Sequence, residues 1–258
     1  MQVIGDFLAD FFQGDLGTSF RTKESVWSEL GDAVPYSLQL GIMTMTIGVL
    51  LALPIGIISA TRRNTWIDYL LRSIAIFGLA APSFWVAAIG TLVVLRFDIL
   101  ELDVVGAPGI WEDFWGSLQL FIIPALAGGF ASGAVLMRLL RSQMLDVLRE
   151  DYVRTAAAKG LSQRVVILRH ALRNAIIPVV TVLGLVFAGV IGGTVILESM
   201  FNIPGMGRLI FQAINARDVP VVQGAALLIC IVVVVNNMII DFMYFKIDPR
   251  ITVASSGG

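Results

Sequence analysis

Long apolar runs alternate with short polar links along the 258 residues, and this alternation predicts a helical membrane protein. A helix that crosses the hydrocarbon core of a bilayer needs about 20 mostly apolar residues. Five runs reach that length, at 35–60, 71–95, 118–140, 175–197 and 221–245. The pattern therefore predicts an all-α integral membrane protein, a polytopic bundle of about five membrane helices. We expect prolines inside four of the runs to kink their helices: Pro54, Pro82, Pro124 and Pro178.

Composition supports a membrane protein. Hydrophobic residues make up 57% of the chain and charged residues only 14%, whereas soluble domains average roughly 45–50% and about 25%. No polar segment is long enough to bury a core of its own. We therefore predict one transmembrane domain, 35–258, preceded by a polar segment, 1–34.

The distribution of charge predicts which links lie on which side of the membrane. Acidic residues dominate 1–34 and the link 97–116, whereas cationic residues gather in the links after the first and third runs and in the tail. Because cationic links stay in the cytoplasm, the N-terminus is predicted outside and the C-terminus inside. The link 198–220 then lies outside, where we expect a partly re-entrant loop with a short amphipathic helix at 207–216, followed by Asp218 as cap of the last helix. The cations used are Arg62, Arg63, Arg138, Arg141, Lys246, Arg250 and those of the link 142–174.

An external N-terminus is difficult to explain, because residues 1–12 are acidic and do not read as a signal peptide. One explanation is an upstream membrane helix that is missing from this sequence. The alternative is a genuine five-span protein with a translocated tail.

Candidate catalytic chemistry is sparse. The chain has one histidine, His170, and one cysteine, Cys230, so a metal site or nucleophile dyad is not expected. The apolar runs hold no carboxylate at mid-depth, which argues against a coupling-ion site. Asn236 and Asn237 are the paired strong polar groups inside a run, and we favour interhelical hydrogen bonding for them over contact with substrate.

The link 142–174, hereafter the basic loop, is the best candidate for a functional surface. Its composition predicts a helix from Asp146 to Lys159, a corner at Gly160 and a second helix capped by Ser162. A solvated loop that only obeys the charge bias remains an alternative. The alanines 156–158 favour docking instead, because they offer a smooth helix face that could pack in a groove. The loop's cations are Arg149, Arg154, Lys159, Arg164, Arg169 and Arg173.

The run DYVRTAAAKGLSQRVVILRHALRNAIIPVVT resembles the cytoplasmic coupling loop, or EAA loop, of permease subunits in binding-protein-dependent ABC importers, most closely the dipeptide and oligopeptide branch. Further segments match in order: GDLGTSF (14–20), APSFW (81–85), FNIPGMGRL (201–209), RDVPVVQG (217–224) and DPRI (248–251). The resemblance implies a type I importer fold, usually with six helices, and members of this branch begin with a membrane helix before the GDLG segment, so we expect that one upstream helix is missing from this sequence. The glutamate of the general motif falls at Arg154, so this chain carries a cationic side chain where the general motif has an acidic one.

The resemblance also implies partners and contact residues. It implies a second similar permease, two ATPase subunits that bind ATP and Mg, an extracytoplasmic solute-binding protein and a bacterial or archaeal cell membrane, with no nucleic-acid partner. This chain would have no catalytic residues and no cofactor or metal of its own. Peptides are the expected substrates, with glutathione and nickel or other metal chelates as alternatives, and a stand-alone secondary transporter or channel is the competing function. The residues implied to face the ATPase are Asp151, Tyr152, Arg154, Ala156, Ala157, Lys159, Gly160 and Leu161.

Overall fold

A computed structural model describes residues 14–99 and 113–247. The described part is a helical bundle, and its β pairing is a single bridge between Thr18 and Ser25. Residues 1–13 of the predicted external segment, most of the acidic link and the DPRI segment lie outside the described residues. The helices are α1 (Val26–Thr61), α2 (Trp66–Ala80), α3 (Ser83–Phe97), α4 (Phe114–Val147), α5 (Asp151–Ala158), α6 (Gln163–Ala175), α7 (Ile177–Gly193), α8 (Val195–Met200), α9 (Met206–Ala216) and α10 (Val219–Ile247).

Three of these helices are long and apolar enough to cross a membrane by themselves: α1, α4 and the part of α10 at Val219–Ile240. Two bent pairs, α2 with α3 and α6 with α7, raise the number of candidate spans to five. The predicted all-α membrane bundle of about five spans is thus confirmed.

The second predicted run, 71–95, is not one straight helix. α2 and α3 meet at 106°. The break falls at Ala81 and Pro82, because proline has no N–H to donate and disfavours helical geometry in the residue before it. The pair α6 and α7 bends by 54° just ahead of Pro178, which occupies the first turn of α7.

α1 begins at Val26 rather than at 35, the start of the first apolar run. Val26 and Leu30 are fully buried in a cluster with Leu16, Met206 and Val221. The first turns of α1 are therefore held by long-range packing against α9 and α10, which local hydropathy does not report.

The centre of the bundle is a close crossing of α1 and α4. A Cβ added to Gly133 would lie 2.9 Å from the carbonyl oxygen of Gly48, and one on Gly48 would lie 2.8 Å from Ser132 Oγ. Glycines here let two helix backbones touch. Two apolar cores flank this crossing, one around Phe121 and one around Leu140. The end of the bundle near Leu140 carries the basic loop and is called the basic-loop end; the other is the opposite end.

Candidate functional site

The basic loop folds as two helices joined at a sharp corner. α5 ends at Ala158, and Gly160 has φ +79°, a left-handed conformation that suits glycine. Ser162 stands at the N-cap position of α6, without a side-chain cap bond. The predicted corner is therefore in place. The predicted start at Asp146 is wrong, because α4 continues to Val147 and Met144 is buried in the core of the bundle.

A small apolar cluster holds the two arms of the basic loop together. Val153 and Ala156 of α5 pack against Val166 of α6. The phenol oxygen of Tyr152 accepts a hydrogen bond of 2.6 Å from Asn174 Nδ2. Ala156 therefore does not join the smooth outer face that the sequence suggested, since its side chain is buried within the loop and orients α5.

The outer surface of the basic loop is exposed and cationic. Its six cationic side chains are exposed, and one acidic side chain, Asp151, lies 3.6 Å from Arg154. Both groups of that pair are well solvated, so the contact adds little stability. α6 contains a π-helical turn, Val166–Ala171, in which His170 is half-buried. The implied contact residues that are exposed are Asp151, Tyr152, Arg154, Ala157, Lys159, Gly160 and Leu161.

A buried ion pair connects α4 to the corner between α1 and α2. Arg141 Nε lies 2.9 Å from Asp68 Oδ1, and Arg141 Nη2 lies 2.8 Å from Asp68 Oδ2. Ser59 Oγ donates to Asp68 Oδ1 at 2.6 Å, and the backbone N–H of Asn64 donates to Oδ2 at 3.0 Å. Asp68 also lies in the first turn of α2, where the helix dipole favours an anion.

The sequence pattern did not reveal this pair, since it counted Arg141 only as part of a positive link. A carboxylate three residues after Thr65, at the edge of an apolar run, is the signal that could have drawn attention to Asp68. Arg141 lies six residues, about 9 Å along the axis, before the end of α4. The pair therefore ties the base of the basic loop to two further helices.

A second buried carboxylate organises the opposite end. Glu198 of α8 has no exposed surface. Its Oε1 accepts hydrogen bonds of 2.7 Å from Ser37 Oγ and from Thr194 Oγ1, and its Oε2 accepts one of 3.0 Å from the backbone N–H of Arg208. A Cβ on Gly205 would lie 2.6 Å from the carboxyl carbon, so glycine is required for this approach. Glu198 thereby fastens the first turn of α9 to α1.

The predicted amphipathic helix and cap beyond this point are confirmed. α9 spans Met206–Ala216, and Asp218 precedes α10. Asp218 also accepts a 2.5 Å hydrogen bond from Ser19 Oγ and bonds from the backbone N–H groups of Phe20 and Arg21. Burial favours a higher pKa for Asp218, but these bonds outweigh it and lower the pKa from its ordinary value. The segments GDLGTSF and RDVPVVQG, far apart in sequence, thus meet here.

The two asparagines of the last run differ in environment. Asn236 is buried and donates a 3.0 Å hydrogen bond to the carbonyl oxygen of Gly184, which joins α10 to α7 as the favoured interpretation predicts. Asn237 is exposed on the surface of this chain, and its role in a pathway stays a prediction. Within the described ranges, His, Cys, Asp and Glu form no group of three that could hold a metal.

Comparisons with known proteins agree with the predicted class. A family described as binding-protein-dependent transport system inner membrane component matches residues 52–253. The dipeptide transport system permease protein of Alkalihalophilus pseudofirmus is 38% identical, over 96% of this chain and 80% of the relative. The glutathione transport system permease protein of Pectobacterium atrosepticum is 39% identical, over 95% and 77%. The probable D,D-dipeptide transport system permease protein of Escherichia coli is 37% identical, over 95% and 78%.

The fold also resembles a solved structure. A crystal structure described as an amino acid ABC transporter with histidines superposes with a TM-score of 0.62 at 14% identity. The match covers 85% of this chain and 94% of that one. At such low identity the likeness concerns the fold alone.

Proposed function

The chain belongs to the family of binding-protein-dependent transport system inner membrane components and is a permease subunit of an ABC importer, and from this we propose that it forms half of a translocation pathway for di- or oligopeptides. The names of three similar proteins describe them as permeases for dipeptides, for glutathione and, as a probable assignment, for D,D-dipeptides. Glutathione is itself a tripeptide, so the three names share peptide chemistry. A stand-alone transporter or channel gains no support from these relatives.

The partners follow from the family in general terms, namely an ATPase and a binding protein. We assign this chain one similar permease as its other half and two ATPase subunits, which hold ATP and Mg and carry out all hydrolysis. In a bacterial or archaeal cell membrane, the basic loop and the C-terminus face the cytoplasm, since cationic links stay on that side.

The observation that carries the coupling role is the shape of the basic loop. Most of the implied contact residues on α5 and in the corner after it are exposed, while Val153 and Ala156 fix the orientation of α5 by packing against Val166 of α6. Asp151 begins α5, so its carboxylate lies at the positive end of the helix dipole. A movement of the ATPase against α5 would be transmitted to α4, whose 34 residues extend about 51 Å through the bundle. From α4 it reaches α1 and α2 through Arg141 and Asp68.

Replacement of Gly160 by valine tests this assignment. A β-branched residue at φ +79° is strained by about 1–3 kcal/mol, so the corner should open or shift. In proteoliposomes that contain the complete importer, Gly160→Val should abolish ATP-driven uptake of a labelled dipeptide and weaken co-purification of the ATPase. Membrane insertion of the chain should not change.

Gly14→Val is the matched control, since Gly14 has a similar φ of +81° but lies at the opposite end. It should retain the ATPase. Normal uptake and normal co-purification in Gly160→Val would show that the basic loop is not the coupling element. Failure of the unaltered importer to take up any di- or tripeptide would instead refute the substrate class.

A further inference from the structure

An open cavity of about 380 Å³ lies between α1 and α9 at the opposite end of the bundle. Its volume falls in the range of about 300–1,000 Å³ that is typical of sites for small ligands. One wall belongs to α1 and includes the acidic residues Glu29 and Asp32. The facing wall belongs to α9 and includes Arg208 and Gln212, with the apolar Leu209 between them in sequence. The cavity therefore has residues of opposite charge on its two walls.

Buried contacts hold the two walls in fixed positions. The backbone N–H of Met206, the first residue of α9, donates a 2.7 Å hydrogen bond to Ser37 Oγ of α1. Met206 and Ala33 also belong to one buried apolar cluster. The backbone N–H of Arg208 is bonded to the buried Glu198. The charged residues of the cavity thus stand on helices that are anchored to each other, and such a frame keeps the geometry of a site better than a loop does.

The opposite charges of the two walls do not neutralise each other. Arg208 Nη1 donates a 2.9 Å hydrogen bond to the carbonyl oxygen of Asn202, which orients the guanidinium, and no described carboxylate forms an ion pair with it. Glu29 accepts a hydrogen bond from Thr22 Oγ1. The carboxylate of Asp32 is exposed and makes no hydrogen bond within the described part of the chain. A ligand that carries both charges can therefore pair with both walls at once.

We propose that this cavity is an entry subsite that binds both ends of a dipeptide, with the ammonium group beside Glu29 and Asp32 and the carboxylate beside Arg208. This assignment depends on the peptide-permease function proposed above, in which this end of the bundle faces outward. The charged ends of an extended dipeptide lie at most about 7 Å apart, so the ligand reaches between walls whose own charges do not pair. Gln212 can both donate to and accept from the peptide bond.

Other occupants match this cavity less well. A simple ion pairs with one wall and leaves the opposite charge without a partner. A solute-binding protein docks over a surface of about 800 Å² on each partner, whereas a concave cavity with a few convergent polar groups is typical of small-molecule sites. Contacts between exposed charges are weak, so we expect a Kd in the millimolar range, which suits a site that a peptide enters and leaves.

Saturation-transfer NMR on the complete importer in detergent, without its solute-binding protein, measures such weak binding directly. Alanyl-alanine is the probe with both charges. N-acetyl-alanyl-alanine lacks the ammonium group, and alanyl-alanine amide lacks the carboxylate. Because each capped probe can pair with only one wall, each should bind roughly 3–10-fold more weakly than the free dipeptide.

Asp32→Asn and Arg208→Gln test which wall holds which end of the dipeptide. Each should weaken binding of the free dipeptide roughly 3–10-fold. Asp32→Asn should also narrow the gap between the free and the N-acetylated probe, and Arg208→Gln the gap between the free probe and the amide. Glu24→Gln and Arg217→Gln are matched controls, since both residues are exposed and lie outside the cavity lining, and they should leave the Kd unchanged.

Equal weakening of all three probes by both variants would indicate a structural role and would overturn the subsite. Unchanged dipeptide binding in both variants would overturn it too, and a lower affinity of these variants for the solute-binding protein would then identify a docking surface. Absence of binding in an importer that still takes up dipeptide with its solute-binding protein would overturn the subsite and leave the proposed function standing. Absence of any uptake by the unaltered importer would refute the proposed function, and the subsite with it.

Discussion

Replacement of Asp68 by asparagine should destabilise the bundle more than any other single charge change at the basic-loop end. Asp68 is fully buried and its two oxygens accept hydrogen bonds from Arg141, Ser59 and the backbone of Asn64. Asparagine keeps the shape but loses the charge, and its amide N–H groups would face donors. The guanidinium, whose side chain is only 19% exposed, would be left without its counter-ion.

The size of the effect follows from that geometry. Removing one partner of a buried, fully hydrogen-bonded ion pair costs about 3–5 kcal/mol, most of which reflects the unpaired charge that remains. Scaled as for soluble domains of similar length, about 3 kcal/mol lowers Tm by roughly 6–12 °C. Asp68→Leu combined with Arg141→Met removes both charges, so the double variant should recover most of that loss.

Tryptophan fluorescence of the chain in detergent, followed during heating, measures these shifts. Asp151→Asn is the matched control, because the Asp151–Arg154 pair is solvent-exposed and 3.6 Å apart, and it should lower Tm far less than Asp68→Asn does. Equal small shifts for Asp68→Asn and Asp151→Asn would refute the structural role of the buried pair. Asp68→Leu and Arg141→Met should also be measured separately. If the Tm loss of the double variant equalled the sum of these two losses, the structural role would be refuted as well, since strict additivity means that the two groups do not interact.

Three further outcomes are expected. Because hydrogen bonds lower the pKa of Asp218 in the folded chain, its carboxylate stabilises the fold at neutral pH, and this stabilisation should be lost as the pH falls below the ordinary aspartate pKa of about 4. Proteolysis of 14–25 should then become faster in the unaltered chain, and in Asp218→Asn it should vary less with pH. Gly133→Ala should destabilise by about 1–3 kcal/mol in thermal unfolding, since its Cβ would press on the backbone of Gly48, whereas Gly31→Ala, with open space around it, should be neutral or slightly stabilising. Glu198→Gln should cost about 1–3 kcal/mol and speed proteolysis within 198–220, and unchanged cleavage would contradict its fastening role.

Elements with a strong local signal could be predicted from the sequence. The apolar runs located the spans, Gly160 located the corner of the basic loop, and the periodicity of 207–216 located α9. Boundaries failed where packing overrode composition: α1 starts at Val26 because its first turns pack on Leu16 and Val221, and α4 runs past Asp146.

The polar contacts inside the bundle could not be predicted in this way. Asp68 and Arg141 are 73 residues apart, and Glu198 is 161 residues from Ser37. In each pair, the sequence around one residue does not indicate which distant residue it contacts. Ala156 shows the same limit on a smaller scale, since its neighbours in sequence suggested an outward face and only Val166 on the returning helix shows that it points inward.

The sequence by itself determined the class of molecule, the number of candidate spans and the basic surface, because hydropathy and charge are properties of single residues that accumulate along a chain. Only the tertiary structure decided which buried polar groups meet and which one stays unpaired. In an apolar interior each such group must find a partner in another helix, and the partner depends on how the helices cross. The Asp68–Arg141 pair, the Glu198 network and the unpaired hydroxyl of Thr44 are therefore properties of the fold rather than of any one segment.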